Sequence, residues 1–570
     1  GLYFRYSADY SSLFDSLHCS ESERTYYFTN YFHLCFSIEV ANFLYSIEEE
    51  FSNAEVGALF SKISSICGHN IKDSNELSTW LNQEITLQDD AIRNSIYTHS
   101  EKSNVYETNE ILFKIINAIR ETIDRLSHVL FVLTIDEYEN IGDYQRIINT
   151  YIKQLNGSCG YTFRIGVRPE GINAGYLTNI GNEFLQDGRD FILIRLVVST
   201  SDRSQRYRKF VENVINRRLN YVSIFQQQGI TIDKLLGKME DYDQEAKLIT
   251  KGRKNHLTEL NSIVKAQDVE RIKSAISNEN PLIEAYFIMR LRRGTSIDEI
   301  ILTTEELKAE RETIRTKKYY SDMRNKYKAS LLFWLVDKYK EKKSYYSLRT
   351  YLYLSSGSIF DFIGLCRTLF DLLESDYYKK LDNSCLIPIA TQTSAARKYA
   401  ISQLEKVKIN HEYGTQMWHF AHNMCNLFSY YHKGDLCTTY PETNQFYIQG
   451  TFEDSGVNKE IWRSLIKWGI VIRKTSFQRA TITESQKTQL YFINKTYYPQ
   501  FNISCRIRGG FNYPLSDELW DKMIISNVDP SRLEHFREKK KKRTARIAVC
   551  DSPYKQLSID NFFSPSGESD

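Results

Sequence analysis

The sequence predicts an α/β protein whose first part is a parallel sheet and whose remainder is mainly helical. Two observations support this class. An apolar run at 129–135 ends abruptly on Asp136 and Glu137, as a strand buried on both faces of a parallel sheet does. Apolar residues at helical spacing follow at 144–155, and a second apolar run follows at 161–167. Strand, helix and strand in so short a stretch form one right-handed crossover unit.

The two acids at the end of the first predicted strand suggest a chemistry. Asp136 and Glu137 lie where open α/β sheets bind their ligands, at the carboxyl ends of the strands. In nucleotide hydrolases the first acid of such a pair holds Mg²⁺, usually through water, and the second orients the attacking water. This is the Walker B arrangement. A buried strand followed by an acidic helix cap is the alternative.

A cation follows the second predicted strand, which ends on Arg168. The parallel crossover places Arg168 at the same sheet edge as Asp136 and Glu137. A cation at that edge could sense or neutralise a γ-phosphate. An ion pair with Glu137 or Glu139 is the alternative.

A family resemblance rests on four segments that occur in order between residues 136 and 196: DEYEN, YQRIIN, YTFRIGVRPEGI and GRDFILIRL. They resemble the AAA+ ATPases of the origin-recognition type, in their prokaryotic branch. The resemblance implies an α/β P-loop NTPase-type parallel-sheet core, an α-helical lid and a C-terminal winged-helix domain. It implies ATP and Mg²⁺ as cofactors, with Asp136 as the metal ligand, Glu137 and Arg168 as catalytic residues, and lid movement as the conformational output.

The phosphate-binding pattern GxxxxGK[ST] is absent from the 570 residues. The nearest match, Gly237-Lys238, is followed by Met239 and has no glycine five residues before it. The resemblance places residues 1–5 in the strand after the phosphate-binding helix. We expect either an upstream segment that carries the loop, which the retained acids favour, or a degenerate ATPase.

Residues 1–200 are the expected AAA+ core, and 201–381 the expected lid. We expect a charged helical insertion at about 226–279 to form an exposed arm. The segment LSSGSIFDFIGLCRTLF resembles the lid helix that carries the family's second sensor arginine. Alignment on Gly357 places Phe360 at that position, which leaves Arg168 or a neighbouring subunit to supply the cation.

Residues 382–529 predict two further helices and a winged helix, because short strands alternate with one helix over 443–515. Six basic residues fall near the expected wing hairpin or on a later predicted strand at 502–508: Arg473, Lys474, Arg479, Lys487, Arg506 and Arg508. There they could contact DNA phosphates. Docking of a protein is the alternative use of a winged helix.

Residues 530–570 predict a disordered tail with the basic run REKKKKRTAR. Near its end, Gln556, Ile559, Phe562 and Phe563 resemble a PCNA-interacting peptide. One turn of 3₁₀ helix would place the three apolar side chains on one face as a plug, with the glutamine bonded beside the pocket. The pattern predicts binding to a sliding clamp. Docking of the two phenylalanines on the chain's own surface is the alternative.

Composition and the lengths of the apolar runs limit the classes of protein to which the chain could belong. The formal net charge of +3 does not by itself indicate a nucleic-acid binder. No apolar run reaches the length of a membrane span, and no signal peptide is evident. The ten cysteines lack CxxC pairs and zinc spacing, which is typical of reduced thiols in a cytoplasmic, nuclear or nucleoid-associated protein.

Together these features predict an ATP-dependent switch that acts on DNA or on DNA-bound proteins, in replication, repair, mobile-element or antiviral roles. A non-catalytic scaffold that links a sliding clamp or DNA to partner proteins is the alternative. Whether subunits assemble into a homo-oligomer is left open.

Overall fold

The structure is a computed structural model, and it describes 15 segments of the chain. These are residues 2–5, 21–98, 110–155, 159–172, 175–181, 183–194, 205–238, 242–323, 327–373, 386–409, 412–432, 444–454, 456–474, 489–505 and 512–530. The chain divides into two compact units. The first comprises Gly1–Leu196 and Ile466–Trp468, and the second comprises Val197–Leu465 and Gly469–Asp570.

The described part of the first unit contains five α-helices and three strands. In chain order they are β1 (Leu2–Arg5), α1 (Glu21–Ile47), α2 (Asn53–Cys67), α3 (Ser74–Thr98), α4 (Ile111–Thr122), β2 (Phe131–Asp136), α5 (Gln145–Gln154) and β3 (Tyr161–Ile165). Short 3₁₀ helices lie at Glu48–Glu50, Asp124–Leu126 and Tyr138–Tyr144. The amphipathic helix α4 buries its isoleucine stripe and leads, through a 3₁₀ turn, into β2.

The three strands form one parallel sheet in the order β1-β2-β3. This confirms the predicted strand–helix–strand unit and its parallel pairing, with Phe131 opposite Tyr161 and Ile135 opposite Ile165. Only one face of β2 is fully buried, because burial alternates along the strand. The expectation of a strand buried on both faces was therefore too strong.

The apolar residues of the GRDFILIRL segment suggest a further strand at 191–198, but none is present over residues 191–194, and residues 195–198 lie outside the described segments. Local hydrogen bonds turn the chain back on itself here: Gly188 N–H donates to the Phe191 carbonyl at 2.8 Å, and Leu193 N–H donates to Asp187 Oδ1 at 3.1 Å. Phe191 forms only an isolated bridge with Asp187.

The described part of the second unit is mainly helical. Its helices are α6 (Gln205–Leu219), α7 (Ser223–Gln227), α8 (Ile232–Leu236), α9 (Tyr242–Thr250), α10 (Leu260–Ile263), α11 (Ala266–Ile276), α12 (Pro281–Arg292), α13 (Ile297–Lys308), α14 (Ile314–Asp322), α15 (Lys328–Lys338), α16 (Leu348–Leu354), α17 (Ile359–Asp371), α18 (Ile389–Ile409), α19 (Gly414–His432), α20 (Gly456–Lys467), α21 (Tyr498–Phe501) and α22 (Asp517–Ile525). Its strands are β4 (Phe446–Ile448), β5 (Val471–Arg473), β6 (Tyr491–Ile493) and β7 (Tyr513–Leu515).

The charged segment at about 226–279 is not an exposed arm, which corrects the expectation above. Its apolar residues join those of α12 and α15 in one core cluster; the segment's members are Tyr242, Ala246, Ile249, Leu257, Leu260, Val269, Ile272 and Ile276. Two of its less exposed acids pair with lysines distant in sequence, Glu245 with Lys343 and Glu259 with Lys338. Pairing of this kind lets a charged segment pack into a core.

The four strands of the second unit form a mixed sheet in the order β5-β6-β4-β7. The β5–β6 and β4–β6 pairs are antiparallel, whereas β4 and β7 are parallel. The helix α20 lies between β4 and β5 in sequence, as the pattern predicted. Residues 475–488, which connect β5 to β6 and include Arg479 and Lys487, lie outside the described segments.

The strand predicted at 502–508 is not formed over residues 502–505, and residues 506–508 lie outside the described segments. Side chains from elsewhere bond its backbone instead. The Tyr345 hydroxyl donates to the Ile503 carbonyl at 2.7 Å, and the Ser504 N–H donates to His432 Nε2 at 3.2 Å.

A buried ion pair joins α9 to the segment that follows α15. Lys343 Nζ lies 3.0 and 2.9 Å from the two oxygens of Glu245, and both side chains are about 95% buried or more. The rings of Tyr242, Phe333 and Tyr345 surround the ammonium at 5.7 to 5.9 Å. Such a pair is costly to break because the remaining charge stays out of water.

Among the described residues, no helix is both long enough and apolar enough to cross a membrane.

We predict that Lys343→Met destabilises the protein by about 3 to 5 kcal/mol, since it leaves the Glu245 carboxylate buried and unpaired. Urea unfolding followed by tryptophan fluorescence measures the change. The double variant Lys343→Met/Glu245→Gln should recover part of the loss, and Lys251→Met, in an exposed pair with Glu341, should have little effect. Equal stability of Lys343→Met and the parent protein contradicts the prediction.

Candidate functional site

The carboxyl ends of β2 and β3 are joined beyond the strands themselves. The Gly166 N–H donates to the Ile135 carbonyl at 2.7 Å, and the Tyr138 N–H donates to the Gly166 carbonyl at 3.1 Å. These bonds hold the residues that follow each strand beside one another. The site is therefore set by the same parallel pairing that forms the sheet.

Asp136, the last residue of β2, lies directly against Gly166. A Cβ atom at position 166 would lie 2.9 Å from Asp136 Oδ1, closer than side-chain packing allows. Glycine is thus needed at this position for the carboxylate to keep its place. The same oxygen accepts a hydrogen bond from the Glu137 N–H at 2.9 Å. The backbone of the next residue therefore orients the Asp136 side chain.

Glu137 leaves the strand in the left-handed conformation, with φ 54° and ψ 40°. This conformation is uncommon for a residue other than glycine, and it clusters at functional sites. It turns the chain sharply into the 3₁₀ helix Tyr138–Tyr144. The Glu137 carboxylate accepts a hydrogen bond from Asn140 Nδ2 at 3.2 Å, and both acids are partly exposed at the sheet edge.

Arg168 pairs with Glu139, one of the two partners that the sequence left open. Its Nε lies 3.0 Å from Glu139 Oε1, and its backbone N–H donates to Glu139 Oε2 at 3.1 Å. The Glu139 side chain is 2% exposed, whereas that of Arg168 is 45% exposed. The carboxylate thus fixes both the backbone and the side chain of Arg168 at the sheet edge.

A buried amide connects this edge to α5. Gln145 Nε2 donates to the carbonyls of Tyr138 and Gly171, at 2.8 Å each. The Tyr138 hydroxyl lies 2.9 Å from its acceptor Asn149 Oδ1 and 3.1 Å from the Gln145 carbonyl oxygen, and burial raises the pKa of Tyr138. The loop after β2 and the loop after β3 are therefore held by one hydrogen-bonded network.

The structure brings three of the predicted site residues together: Asp136, Glu137 and Arg168 all lie at the carboxyl edge of the parallel sheet. Arg473 is exposed at the end of β5. Lys474 is half-buried, its Nζ donates to Gln445 Oε1 at 2.8 Å, and burial lowers its pKa. Phe360, at the expected second-sensor position, is 72% exposed on α17.

The remaining predicted residues lie outside the described segments: Arg479, Lys487, Arg506, Arg508, Gln556, Ile559, Phe562 and Phe563.

The arrangement suits a hydrated Mg²⁺ ion held with a phosphate better than a metal held by protein alone. In the described segments, no group of three or more His, Cys, Asp and Glu side chains converges on a metal site. Mg²⁺ needs only one or two carboxylates when phosphates and waters complete its shell. Asp136 and Glu137 supply two carboxylates at this sheet edge, the number that such an ion requires.

A model of the ORC-CDC6-like family matches residues 1–512. The chain belongs to the ORC-CDC6-like family. This confirms the resemblance drawn from the DEYEN and YTFRIGVRPEGI segments. No curated protein and no solved structure matches the chain. Membership supports an AAA+ origin-recognition-like function and nucleotide binding in general terms.

Sequence reasoning missed three residues that organise this edge of the sheet. Gly166 makes room for Asp136, Asn140 bonds Glu137, and Gln145 connects the two loops. A glycine directly after a strand was the available signal for the first. Asn140 and Gln145 gave no signal, because their partners depend on how the chain turns after β2.

We predict that Arg168→Met destabilises the protein more than Glu139→Gln does. The arginine variant leaves a buried carboxylate without its cation, at a cost of about 3 kcal/mol. The glutamine variant leaves a half-exposed arginine that water can solvate, at about 1 to 2 kcal/mol. Urea unfolding measures both, and Arg164→Met, an exposed position of β3, serves as the control. The reverse order of the two variants contradicts the inferred pairing.

Proposed function

We propose that this ORC-CDC6-like protein is an ATP-dependent molecular switch that acts on DNA or on DNA-bound proteins. The observation that carries the proposal is the position of Asp136 and Glu137, side by side where the central strand of a parallel sheet ends. Ligands of open α/β sheets bind at this edge. Family membership supports the same assignment in general terms.

Each residue of the site has a proposed role. Asp136 holds Mg²⁺ through water, and Glu137 orients or deprotonates the water that attacks the γ-phosphate. Arg168, held in place by Glu139, contacts the γ-phosphate and neutralises the charge that develops there. Bound Mg²⁺ supplies further charge neutralisation for the phosphates.

Turnover also requires a loop that cradles the phosphates. The 570 residues contain no GxxxxGK[ST] pattern, so the proposal needs such a loop in a longer form of the protein. A full-length protein without one supports the alternative, in which the same fold is a scaffold that links DNA or a sliding clamp to partners.

The C-terminal sheet supports a winged helix that contacts DNA. The order helix α19, strand β4, helix α20 and antiparallel pair β5–β6 supports this proposal. Arg473 is exposed at the start of the expected wing, where it could contact a phosphate. Lys474 is bonded to Gln445 and half-buried, so we assign it a supporting role. Arg479 and Lys487 belong to the same proposed surface by their place in the sequence.

We predict that Glu137→Gln in the full-length protein lowers ATP turnover by about 10²-fold or more while ATP binding persists, since the water loses its base but the metal ligand remains. Phosphate release measures turnover, and fluorescent ATP measures binding. Glu121→Gln is the matched control, because Glu121 is an exposed acid that pairs with Lys62. Unchanged turnover in Glu137→Gln refutes the assignment.

For the tail we propose sliding-clamp binding through Gln556, Ile559, Phe562 and Phe563. We predict that Phe562→Ala/Phe563→Ala abolishes binding to a purified PCNA-type clamp in calorimetry, because the plug then keeps only one of its three apolar side chains. Ser558→Ala/Asp560→Ala, at spacer positions of the same peptide, should bind like the parent protein. Retained binding by the phenylalanine variant contradicts this proposal.

A further inference from the structure

The first helix of the second unit, α6, is anchored along one side. Val211, Ile215 and Leu219 are buried at helical spacing. Asn216 Oδ1 accepts the Ile232 N–H at 2.9 Å, and the Tyr207 hydroxyl lies 3.1 Å from Ser355 Oγ. The helix therefore has a fixed orientation in its unit, and its opposite side is presented rigidly.

The exposed remainder of the helix carries basic and aromatic residues together. We call it the α6 stripe and define it by Arg206, Lys209, Phe210, Arg217, Arg218 and Tyr221. Phe210 is 50% exposed, and Tyr221, in the turn after the helix, is 90% exposed. The four basic residues are exposed as well. Spacing of four, seven and eleven residues keeps Arg206, Phe210 and Arg217 on one face of the helix.

The α6 stripe is a local concentration of positive charge in a chain with a formal net charge of only +3. Helix α6 contains five basic residues and one acid in 15 residues, and the acid, Glu212, is paired with Arg208 at 2.7 Å. In the described segments, no ion pair joins Arg206, Lys209, Arg217 or Arg218 to an acid. Of the neighbouring helices, α8 carries the exposed acid Asp233, and α17 carries the exposed cation Arg367 and, at its last residue, the exposed acid Asp371.

Exposed aromatic rings between cations match the chemistry of a single nucleic-acid strand. Cations neutralise successive phosphates, and ring faces stack on unpaired bases. Phe210 and Tyr221 are eleven positions apart, on the order of 16 Å along a helix, so they would contact bases several nucleotides apart. In a duplex the base faces are stacked on one another, so the two aromatic rings would have no base to stack on.

A membrane surface fits less well. A helix that binds a membrane inserts its apolar face, and the apolar face of α6 is already buried against the protein. A merely solvated charged face explains the cations alone, whereas binding of a single strand also gives the two exposed rings a contact.

We propose that the α6 stripe binds single-stranded DNA, with phosphates on Arg206, Lys209, Arg217 and Arg218 and bases on Phe210 and Tyr221. The choice of DNA over RNA rests on the proposed function, whereas the site itself does not depend on the nucleotide site or the winged helix. The stripe would hold an unpaired strand on the helical unit.

Fluorescence anisotropy of the full chain with labelled oligo-dT of about 20 nucleotides tests the proposal. We predict that Phe210→Ala/Tyr221→Ala weakens binding by about tenfold or more. Arg217→Gln/Arg218→Gln should weaken it too, and should lower the slope of log affinity against log salt by about 0.7 for each phosphate that the variant no longer neutralises. Circular dichroism confirms that each variant is folded.

Matched controls separate the stripe from general charge and from other sites. Tyr320→Ala removes another exposed ring, and Arg271→Gln/Lys273→Gln removes two cations from α11; both should bind oligo-dT like the parent protein. The assay contains neither free nucleotide nor duplex DNA, so failure of the proposed ATPase or winged-helix function leaves this result intact. Parent-like binding by the two stripe variants, equal weakening in the controls, or tighter binding of a matching oligo-U overturns the proposal.

Discussion

The close approach of Gly166 to Asp136 is the constraint on which the candidate site depends. Parallel pairing of β2 and β3 brings two loops to one edge, and the Gly166–Ile135 hydrogen bond of 2.7 Å extends that pairing past the strands. Any side chain at 166 would occupy the space of the Asp136 carboxylate. The position of the acid, at the edge where open α/β sheets bind ligands, is therefore decided by backbone geometry.

The buried carboxylate of Glu139 adds a second constraint. Because this carboxylate is buried, the fold is stable only if a cation stays beside it. Arg168 supplies that cation and also gives its backbone N–H to the same carboxylate. This ion pair is the alternative that the sequence analysis gave for Arg168. It also holds the Arg168 side chain in one position, from which the side chain would contact a phosphate. A preorganised cation needs little rearrangement when charge develops on a phosphate.

The second unit is organised by polar groups that connect segments far apart in sequence. Gln392 accepts the Ser347 N–H at 2.8 Å and donates to the carbonyl of Ile387 at 2.8 Å and to that of Leu236 at 3.2 Å. Tyr345 reaches the backbone near the C-terminal sheet, and Lys343 is buried with Glu245. These contacts give the helices fixed orientations. Because α6 also has a fixed orientation, its basic residues form a surface with a defined arrangement.

The sequence by itself determined the elements whose signals are local. The run 129–135, the helical spacing at 144–155 and the run at 161–167 identified β2, α5 and β3 to within two residues at each end, and Asp136 and Glu137 were found because they end an apolar run.

Only the tertiary structure decided that Arg168 pairs with Glu139 rather than Glu137, because the left-handed turn at Glu137 sets where each carboxylate lies. It also decided that the charged segment at 226–279 packs into a core and that residues 502–505 form no strand. In both places the partners, such as Lys343 for Glu245 and Tyr345 for Ile503, lie about a hundred residues or more away, beyond what the pattern of a local stretch can indicate.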